Sequence, residues 1–160
     1  MTTMTRHGSA IVTTPSDREI LITRTFDASA SAVFDAWTTP EHVRKWWGSE
    51  DAPIVECDID LRVGGSWRYV VRGADGSEFA WHGTYREIDR PGRLVSTEVF
   101  EGFPDAESVN TATLTENDGT TTLCITVLHS SKENRDGHLN SGMEAGMQPV
   151  LDRLEDLVRT

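Results

Sequence analysis

The chain has 160 residues, with 26 acidic and 15 basic side chains and a formal net charge of -11 at pH 7. This length suits one domain with its own core, and 37% hydrophobic residues beside 26% charged ones is typical of a folded chain. Because an acidic surface repels phosphate backbones and anionic lipid, we expect neither nucleic acid nor a membrane as partner. No apolar run has the length of a membrane span and no secretory signal is recognisable, so we expect a cytoplasmic protein.

The chain contains two cysteines, Cys57 and Cys124. Both lie inside predicted strands, and neither belongs to a CxxC pair or a cluster with histidine. Free cysteine behaves as a small apolar residue in proteins of the reducing cytosol. We therefore expect two buried, reduced thiols.

The first third of the chain predicts one strand and two short helices. Residues 1–16 are expected to form a tail with at most one short strand at 10–14, and residues 17–160 to form the domain. A strand is predicted at 18–26, where Ile20, Ile22 and Phe26 share one parity. A helix is predicted at 29–38 and a second one after Thr39, with Pro40 at its first position and Gly48 beyond its end.

A strictly alternating segment follows, in which Val55 to Val63 place an apolar residue at every second position. This period predicts a strand with one dry face. A three-residue loop at Gly64-Gly65 would pair Leu61 with Trp67 and Cys57 with Val71, which keeps all large apolar side chains on that face.

The register of the next hairpin is predicted from its side chains. A loop at 73–77 sets Arg72 opposite Glu78, and aromatic residues opposite one another. The remaining pairs in this register are Val71 with Phe79, Tyr69 with Trp81, and Trp67 with Gly83. Beyond Tyr85 the turn at 90–92 leaves open whether Thr97 or Glu98 shares the dry face. Further strands are predicted at 94–100, 109–115 and 121–128, which gives seven.

The end of the chain changes to a helical period. Apolar residues from Met143 to Val158 recur at intervals of three and four, beside a charged face. Gly142 and Gly146 weaken this helix, and Pro149 cannot donate to the Ala145 carbonyl. We therefore predict a bend near 145–149. The order of elements predicts an α+β fold in which one long helix covers one antiparallel sheet.

Several segments of the chain resemble the START-like helix-grip (SRPBCC) superfamily. They include FDAWTTPEHVRKWWG, CDIDLRVGGSWRYVVRG and SGMEAGMQPVLDRLEDL. Within the superfamily they are similar to the bacterial branch named for the C-terminal domain of the activator of the heat-shock protein 90 ATPase. The resemblance implies a curved seven-stranded antiparallel sheet around the C-terminal helix, with the last strand beside the first and a pocket between sheet and helix. The two cysteines would then lie too far apart for a disulfide.

A pocket between sheet and helix predicts a binding site for a small hydrophobic or aromatic molecule. Trp46 and Trp47 are adjacent and point to different sides, so at most one of them faces the pocket. The alternative is that the large side chains simply fill the core. The candidate ligand-binding residues are Trp46, Trp67, Tyr69, Phe79, Trp81, Tyr85, Met143 and Met147.

No catalytic residue, metal site or cofactor is predicted. The sequence has no GxGxxG, GxxxxGK[ST], HExxH, CxxC or GxSxG motif, and the five histidines, His7 among them, are scattered. His82 has the parity of the wet strand face, which argues against its use as an acid or base. Glu98 stays open, because its face is undecided.

Three functions are weighed, and ligand binding is preferred. An enzyme of the cyclase, dehydratase or hydrolase kind would need an ionisable group in the same pocket. Action on the heat-shock protein 90 ATPase rests on the family name alone, so a chaperone partner is not expected. An exposed tryptophan would be compatible with a homodimer, although no feature of the sequence specifies one.

Overall fold

The structure is a computed structural model that describes residues 10–159. Residues 1–9 of the expected tail, with His7, lie outside the described residues. Within the described part the chain forms one eight-stranded antiparallel sheet and four helices. The strands are β1 (Ile11–Ser16), β2 (Glu19–Phe26), β3 (Ile54–Ile59), β4 (Ser66–Arg72), β5 (Glu78–Asp89), β6 (Arg93–Phe100), β7 (Ser108–Asn117) and β8 (Thr120–His129). The helices are α1 (Ala30–Thr38), α2 (Pro40–Trp46), α3 (Lys132–Leu139) and α4 (Met143–Val158).

The strand order is β1-β2-β8-β7-β6-β5-β4-β3. The α+β class is confirmed, and the last strand lies beside the first long one as expected. The expected number of seven strands is wrong, because residues 11–16 form an edge strand that pairs with β2. Gln148 of α4 holds the start of this strand, since its side chain bonds both the amide and the carbonyl of Ala10, at 3.0 and 2.9 Å.

The two hairpins at the β3 edge differ in how well their registers follow the expected ones. The β4–β5 register is confirmed in all four pairs, from Arg72 opposite Glu78 to Trp67 opposite Gly83. The β3–β4 register is wrong by two residues, because Ile59 lies opposite Trp67 and Cys57 opposite Tyr69. The strand ends at Ile59, and a longer connection follows in which the Gly64 amide donates to the Tyr85 carbonyl.

Helix α4 lies across the β2 side of the sheet and against α2. Its own residues Leu151 and Leu154 point into the core and are 2% and 0% exposed. Arg153 donates from Nε to the carbonyl of Trp46 at 3.2 Å, and from Nη2 to the carbonyl of Gly48. These bonds satisfy carbonyls at the end of α2 and fix α4 against it.

Gly142 lies outside α4 and precedes it with a φ of 83°, a conformation that favours glycine. Pro149 lies within the helix, and the bend expected there stays a prediction. Helix α3 was not predicted, because it buries no residue and has no apolar face. The sequence feature that marks the start of this helix is its N-cap residue Ser131, whose hydroxyl accepts a hydrogen bond from the Asn134 amide at 3.0 Å.

Apolar side chains pack in two clusters on one side of the sheet, called here the inner face. The first lies between α4 and the sheet and includes Ile20, Phe26, Leu123 and Leu154. The second lies beneath α1 and α2 against β3, β4 and β5, and its larger members are Phe34, Val43, Trp67, Tyr69 and Tyr85. Among the described residues, no helix is both long and apolar enough to cross a membrane.

Candidate functional site

The strip of the inner face between the two clusters is incompletely covered. Strands β6 and β7 place Ser96, Glu98, Asn110 and Ala112 there, and all four are only partly buried. Folded domains usually have one continuous core, and the centre of a sheet is its best covered part. An accessible strip with polar side chains at this position is therefore a candidate binding site.

Aromatic rings form one wall of this strip. Trp47 meets Tyr69 edge-on at 5.1 Å between ring centroids, and Trp81 at 4.8 Å. Trp81 in turn lies 5.3 Å from Phe100, and Trp67 lies 4.8 Å from Tyr69. Edge-to-face and tilted contacts of this kind favour a fixed arrangement of the rings. The wall therefore presents a firm apolar surface beside the strip.

The structure brings together four of the eight candidate residues in this wall: Trp67, Tyr69, Trp81 and Tyr85. Trp46 lies elsewhere, in the first cluster, where it is 2% exposed and donates its indole N–H to the Ala36 carbonyl at 2.9 Å. Trp47 faces the wall in its place. The two tryptophans do point to different sides, as their adjacency requires, but the sequence does not distinguish the inward one.

Phe79, Met143 and Met147 lie at the margins. Phe79 is 47% exposed near the β4–β5 turn, 6.5 Å from the ring of Phe100. Met143 and Met147 are partly buried against the first cluster. Both methionines lie in the first two turns of α4, whose other residues in that part are largely exposed.

The polar side of the strip is a directed chain of hydrogen bonds. The Ser108 hydroxyl donates to Asn110 Oδ1 at 3.3 Å, and Asn110 Nδ2 donates to Glu98 Oε1 at 2.9 Å. The sequence does not decide on which face of the sheet Glu98 lies. Its hydrogen bond with Asn110 shows that this is the inner face. Its second oxygen, Oε2, has no partner within residues 10–159 and is not fully enclosed.

Two tyrosines add further unpartnered groups. Tyr69 and Tyr85 are 8% and 4% exposed, yet neither hydroxyl has a hydrogen-bond partner within the described chain. Neither hydroxyl is fully enclosed. The indole N–H of Trp67 also lacks a partner and is enclosed beside Gly83.

Burial governs the acid–base properties of the inner face. It raises the pKa of Glu98, which the hydrogen bond from Asn110 only partly offsets. It also raises the pKa of Tyr69, with smaller contributions from Tyr85, Cys57 and Glu98, which places these groups near one another. The pKa of the Cys57 thiol rises to about 11. Both cysteines are free, as expected, although Cys124 is only partly buried.

A histidine pair lies at the end of β8. His129 Nε2 and His138 Nδ1 are 3.0 Å apart, and His129 is 6% exposed with an enclosed, unpartnered Nδ1. Burial and the neighbouring His138 lower the pKa of His129 to about 4. No group of three metal-binding side chains occurs in the described part of the chain.

The outer face carries a separate ionic network. Arg68 bonds Glu101 through two nitrogens, at 2.9 and 3.0 Å, and Glu56 at 3.0 Å. His82 bonds the same Glu101 at 2.9 Å, so it lies on the wet face that its parity predicts. The hydrogen bonds from Arg68 and His82 lower the pKa of Glu101 to about 2.

Two recesses of different size accompany these surfaces. An outer recess of about 340 Å³ is bordered by Arg68, Phe79, Phe100 and Glu101. On the inner face a gap of about 10 Å³ is bordered mainly by Phe34, Trp37, Ala112 and Leu123. Such a gap is at the lower limit for one water molecule. A guest of any size on the inner face therefore requires side chains to move.

Comparison with known families shows which family the sequence matches. Residues 27–159 match the family described as Activator of Hsp90 ATPase homolog 1-like protein. No curated protein matches the sequence.

Solved structures share the fold over nearly the whole chain. A protein of Rhodobacter sphaeroides has a TM-score of 0.88 at 24% identity, covering 93% of this chain and 97% of its own. A protein of Mycobacterium smegmatis has a TM-score of 0.80 at 26% identity, covering 94% and 98%. An AHSA1-like protein from Aeromonas hydrophila has a TM-score of 0.65 at 24% identity, covering 86% and 91%.

Proposed function

The chain belongs to the Activator of Hsp90 ATPase homolog 1-like family, and on that premise we propose that it binds a small hydrophobic or aromatic molecule between the inner face and α4. The proposed site consists of the strip at Glu98, Asn110 and Ala112, the aromatic wall, and the side chains of Met143 and Met147. The observation that carries the proposal is the partial exposure of Asn110 and Ala112, which lie on the inner face between its two packed clusters.

The size of the inner gap decides how a ligand enters. A gap of about 10 Å³ holds no organic molecule, so binding must displace part of the cover. The first two turns of α4 are suited to this, because most of their residues are exposed and their two methionines adapt readily to new neighbours. Pro149 also leaves the Ala145 carbonyl without its helical hydrogen bond.

The chemistry of the walls sets the class of ligand. Trp47, Tyr69, Trp81 and Phe100 offer ring faces and edges, which favour flat, apolar molecules. The polar groups are few and lie at one side, which is typical of sites that orient a largely apolar ligand. The site needs no cofactor for this role.

The proposal is tested by titrating the protein with 2-naphthol and following the indole N–H resonances by two-dimensional NMR. We expect saturable shifts of the Trp47, Trp67 and Trp81 signals, and smaller ones for Trp46, whose N–H is bonded to Ala36. Absence of any shift at millimolar naphthol would contradict the proposal.

A matched pair of variants locates the site. Ala112→Phe fills the centre of the strip, and Val63→Phe adds a similar side chain at a position that is 63% exposed in a connection away from it. We expect Ala112→Phe to weaken naphthol binding at least tenfold, and Val63→Phe to leave it unchanged. Circular dichroism melting curves of both variants verify that the fold is kept.

A further inference from the structure

The polar end of the strip has a one-sided hydrogen-bonding character. Ser108 donates to Asn110, and Asn110 donates to Glu98, so this chain of hydrogen bonds ends on the carboxylate. What remains at the accessible end is an acceptor, Glu98 Oε2. A carboxylate oxygen in partly buried surroundings is most stable when it accepts a hydrogen bond.

No basic side chain compensates Glu98. Within residues 10–159 none forms an ion pair with it, and the hydrogen bond from Asn110 only partly offsets the effect of burial on its pKa. The arginine on the neighbouring part of the inner face, Arg24, is fully buried and paired with Asp152 and Glu155. A second negative charge placed beside Glu98 would therefore meet repulsion without relief.

Resting on the function proposed above, we propose that the site selects ligands whose polar end is an uncharged or cationic hydrogen-bond donor, a hydroxyl or an amine, held by Glu98 Oε2 and the Tyr69 hydroxyl. Ligands that end in a carboxylate or phosphate are rejected. Glu98 is the specificity-determining residue, and Asn110 and Ser108 position its carboxyl group.

Tyr69 completes the polar end from the aromatic wall. Its side chain is 8% exposed with an unpartnered hydroxyl, and it lies opposite Trp81, which in turn lies opposite Phe100, two residues from Glu98 on the same face of β6. A phenolic hydroxyl both donates and accepts, so it can bond the same ligand oxygen or nitrogen that donates to Glu98. The ring faces beside it favour an aromatic body and also attract a cation.

The experiment compares four probes with one aromatic body: naphthalene, 2-naphthol, 2-naphthylmethylamine and 2-naphthoate. Isothermal titration at pH 7.5 gives each Kd for the wild-type chain, for Glu98→Gln and for Glu87→Gln. The last variant removes the same charge from an exposed position of β5. We expect naphthol and the amine to bind the wild type at least tenfold tighter than naphthoate does.

Glu98→Gln separates the two donor classes. The glutamine side chain has nearly the same volume, and with its oxygen on Asn110 its amide N–H can donate to the naphthol oxygen, so naphthol binding falls only a few-fold. The amine cannot accept that hydrogen bond and loses at least tenfold. Naphthoate binding improves, because the repelling charge is gone. Glu87→Gln leaves all four affinities as in the wild type.

Two outcomes overturn the inference in different ways. If naphthoate binds the wild type as tightly as naphthol does, the donor selectivity is wrong while ligand binding stands. If none of the four probes binds, the proposed function is wrong and the inference falls with it.

Discussion

Arg24 on β2 donates from Nη2 to Glu155 Oε1 on α4 at 2.8 Å, and the two side chains are 0% and 3% exposed. This pair joins the sheet to the helix where the first cluster is packed most tightly. Arg24 also bonds Asp152 at 2.8 Å, and Glu155 accepts from the Asp27 amide at 3.2 Å. The ionic contact thus fixes the C-terminal half of α4, whereas within residues 10–159 no ion pair joins its N-terminal half to β2.

We predict that Glu155→Ala destabilises the protein by about 3 kcal/mol, because it leaves the buried guanidinium of Arg24 with only Asp152 as its charged partner. Urea unfolding followed by circular dichroism measures the loss. The double variant Arg24→Met, Glu155→Leu removes both charges and is expected to recover most of it. Equal destabilisation in the single and double variants would show that the packing, and not the unpaired charge, accounts for the effect.

Gly83 is predicted to tolerate no side chain. A Cβ atom there would overlap the Thr97 carbonyl oxygen and lie 2.6 Å from Trp67 Nε1. Since the first neighbour is backbone, Gly83→Ala is expected to cost at least about 3 kcal/mol or to prevent folding.

The control is the same substitution at Gly137, which lies in α3 with open space around it. Gly137→Ala is expected to stabilise the protein by up to about 1 kcal/mol, because alanine is the better helix former. Thermal melting of both variants measures the difference. A Gly83→Ala protein as stable as the wild type would contradict the close approach of β5 and β6 at this point.

The register of β4 and β5 could be predicted because it rests on paired side chains alone. Arg72 and Glu78 attract each other, and Gly83 leaves room for Trp67. The β3 register could not be predicted, because the alternating pattern of apolar residues continues past the end of the strand. Leu61 and Val63 belong to the connection after β3, in which the Gly64 amide donates to the Tyr85 carbonyl. Alternation records which side a residue faces, but not the partner strand at which pairing stops.

The candidate site was less predictable, for local reasons. A shift in the β5–β6 pairing lies between Tyr85 and Glu87, and irregularities of this kind leave no clear mark in the sequence. The parity of Glu98 therefore became known only from the structure. Likewise Trp47 faces the aromatic wall because α2 ends at Trp46, and a helix end is uncertain by one or two residues when it is inferred from sequence.

We predict that the histidine pair makes the protein less stable in mild acid. In the folded state the pKa of His129 is about 4, against 6.5 for an ordinary histidine. Between these values the unfolded chain takes up a proton that the folded chain does not, so the stability is complete above pH 6.5 and falls as the pH decreases towards 4. From pH 7 to pH 5 the loss amounts to about 2 kcal/mol.

His129→Gln tests this, since glutamine can still bond His138 but does not titrate. Urea unfolding of both proteins at pH 7 and pH 5 separates the contribution of His129 from that of the carboxylates, which is common to both. The prediction requires the pH dependence to be steeper in the wild type. Parallel curves would mean that His129 takes up its proton equally well in both states.

The last prediction concerns the movement of α4 that ligand entry requires. Gly146 lies in the second turn of α4, with open space where a Cβ would be, so Gly146→Ala is expected to strengthen the helix by up to about 1 kcal/mol. If the first two turns must open before a ligand enters, the open state becomes less populated and the Kd rises by the same factor, about fivefold. Stopped-flow fluorescence with 2-naphthol measures the association rate, which is expected to fall by that amount. Gly137→Ala strengthens α3 to a similar extent and leaves both quantities unchanged, whereas a Gly146→Ala protein that is more stable but binds as fast as the wild type would exclude opening of α4 as the route of entry.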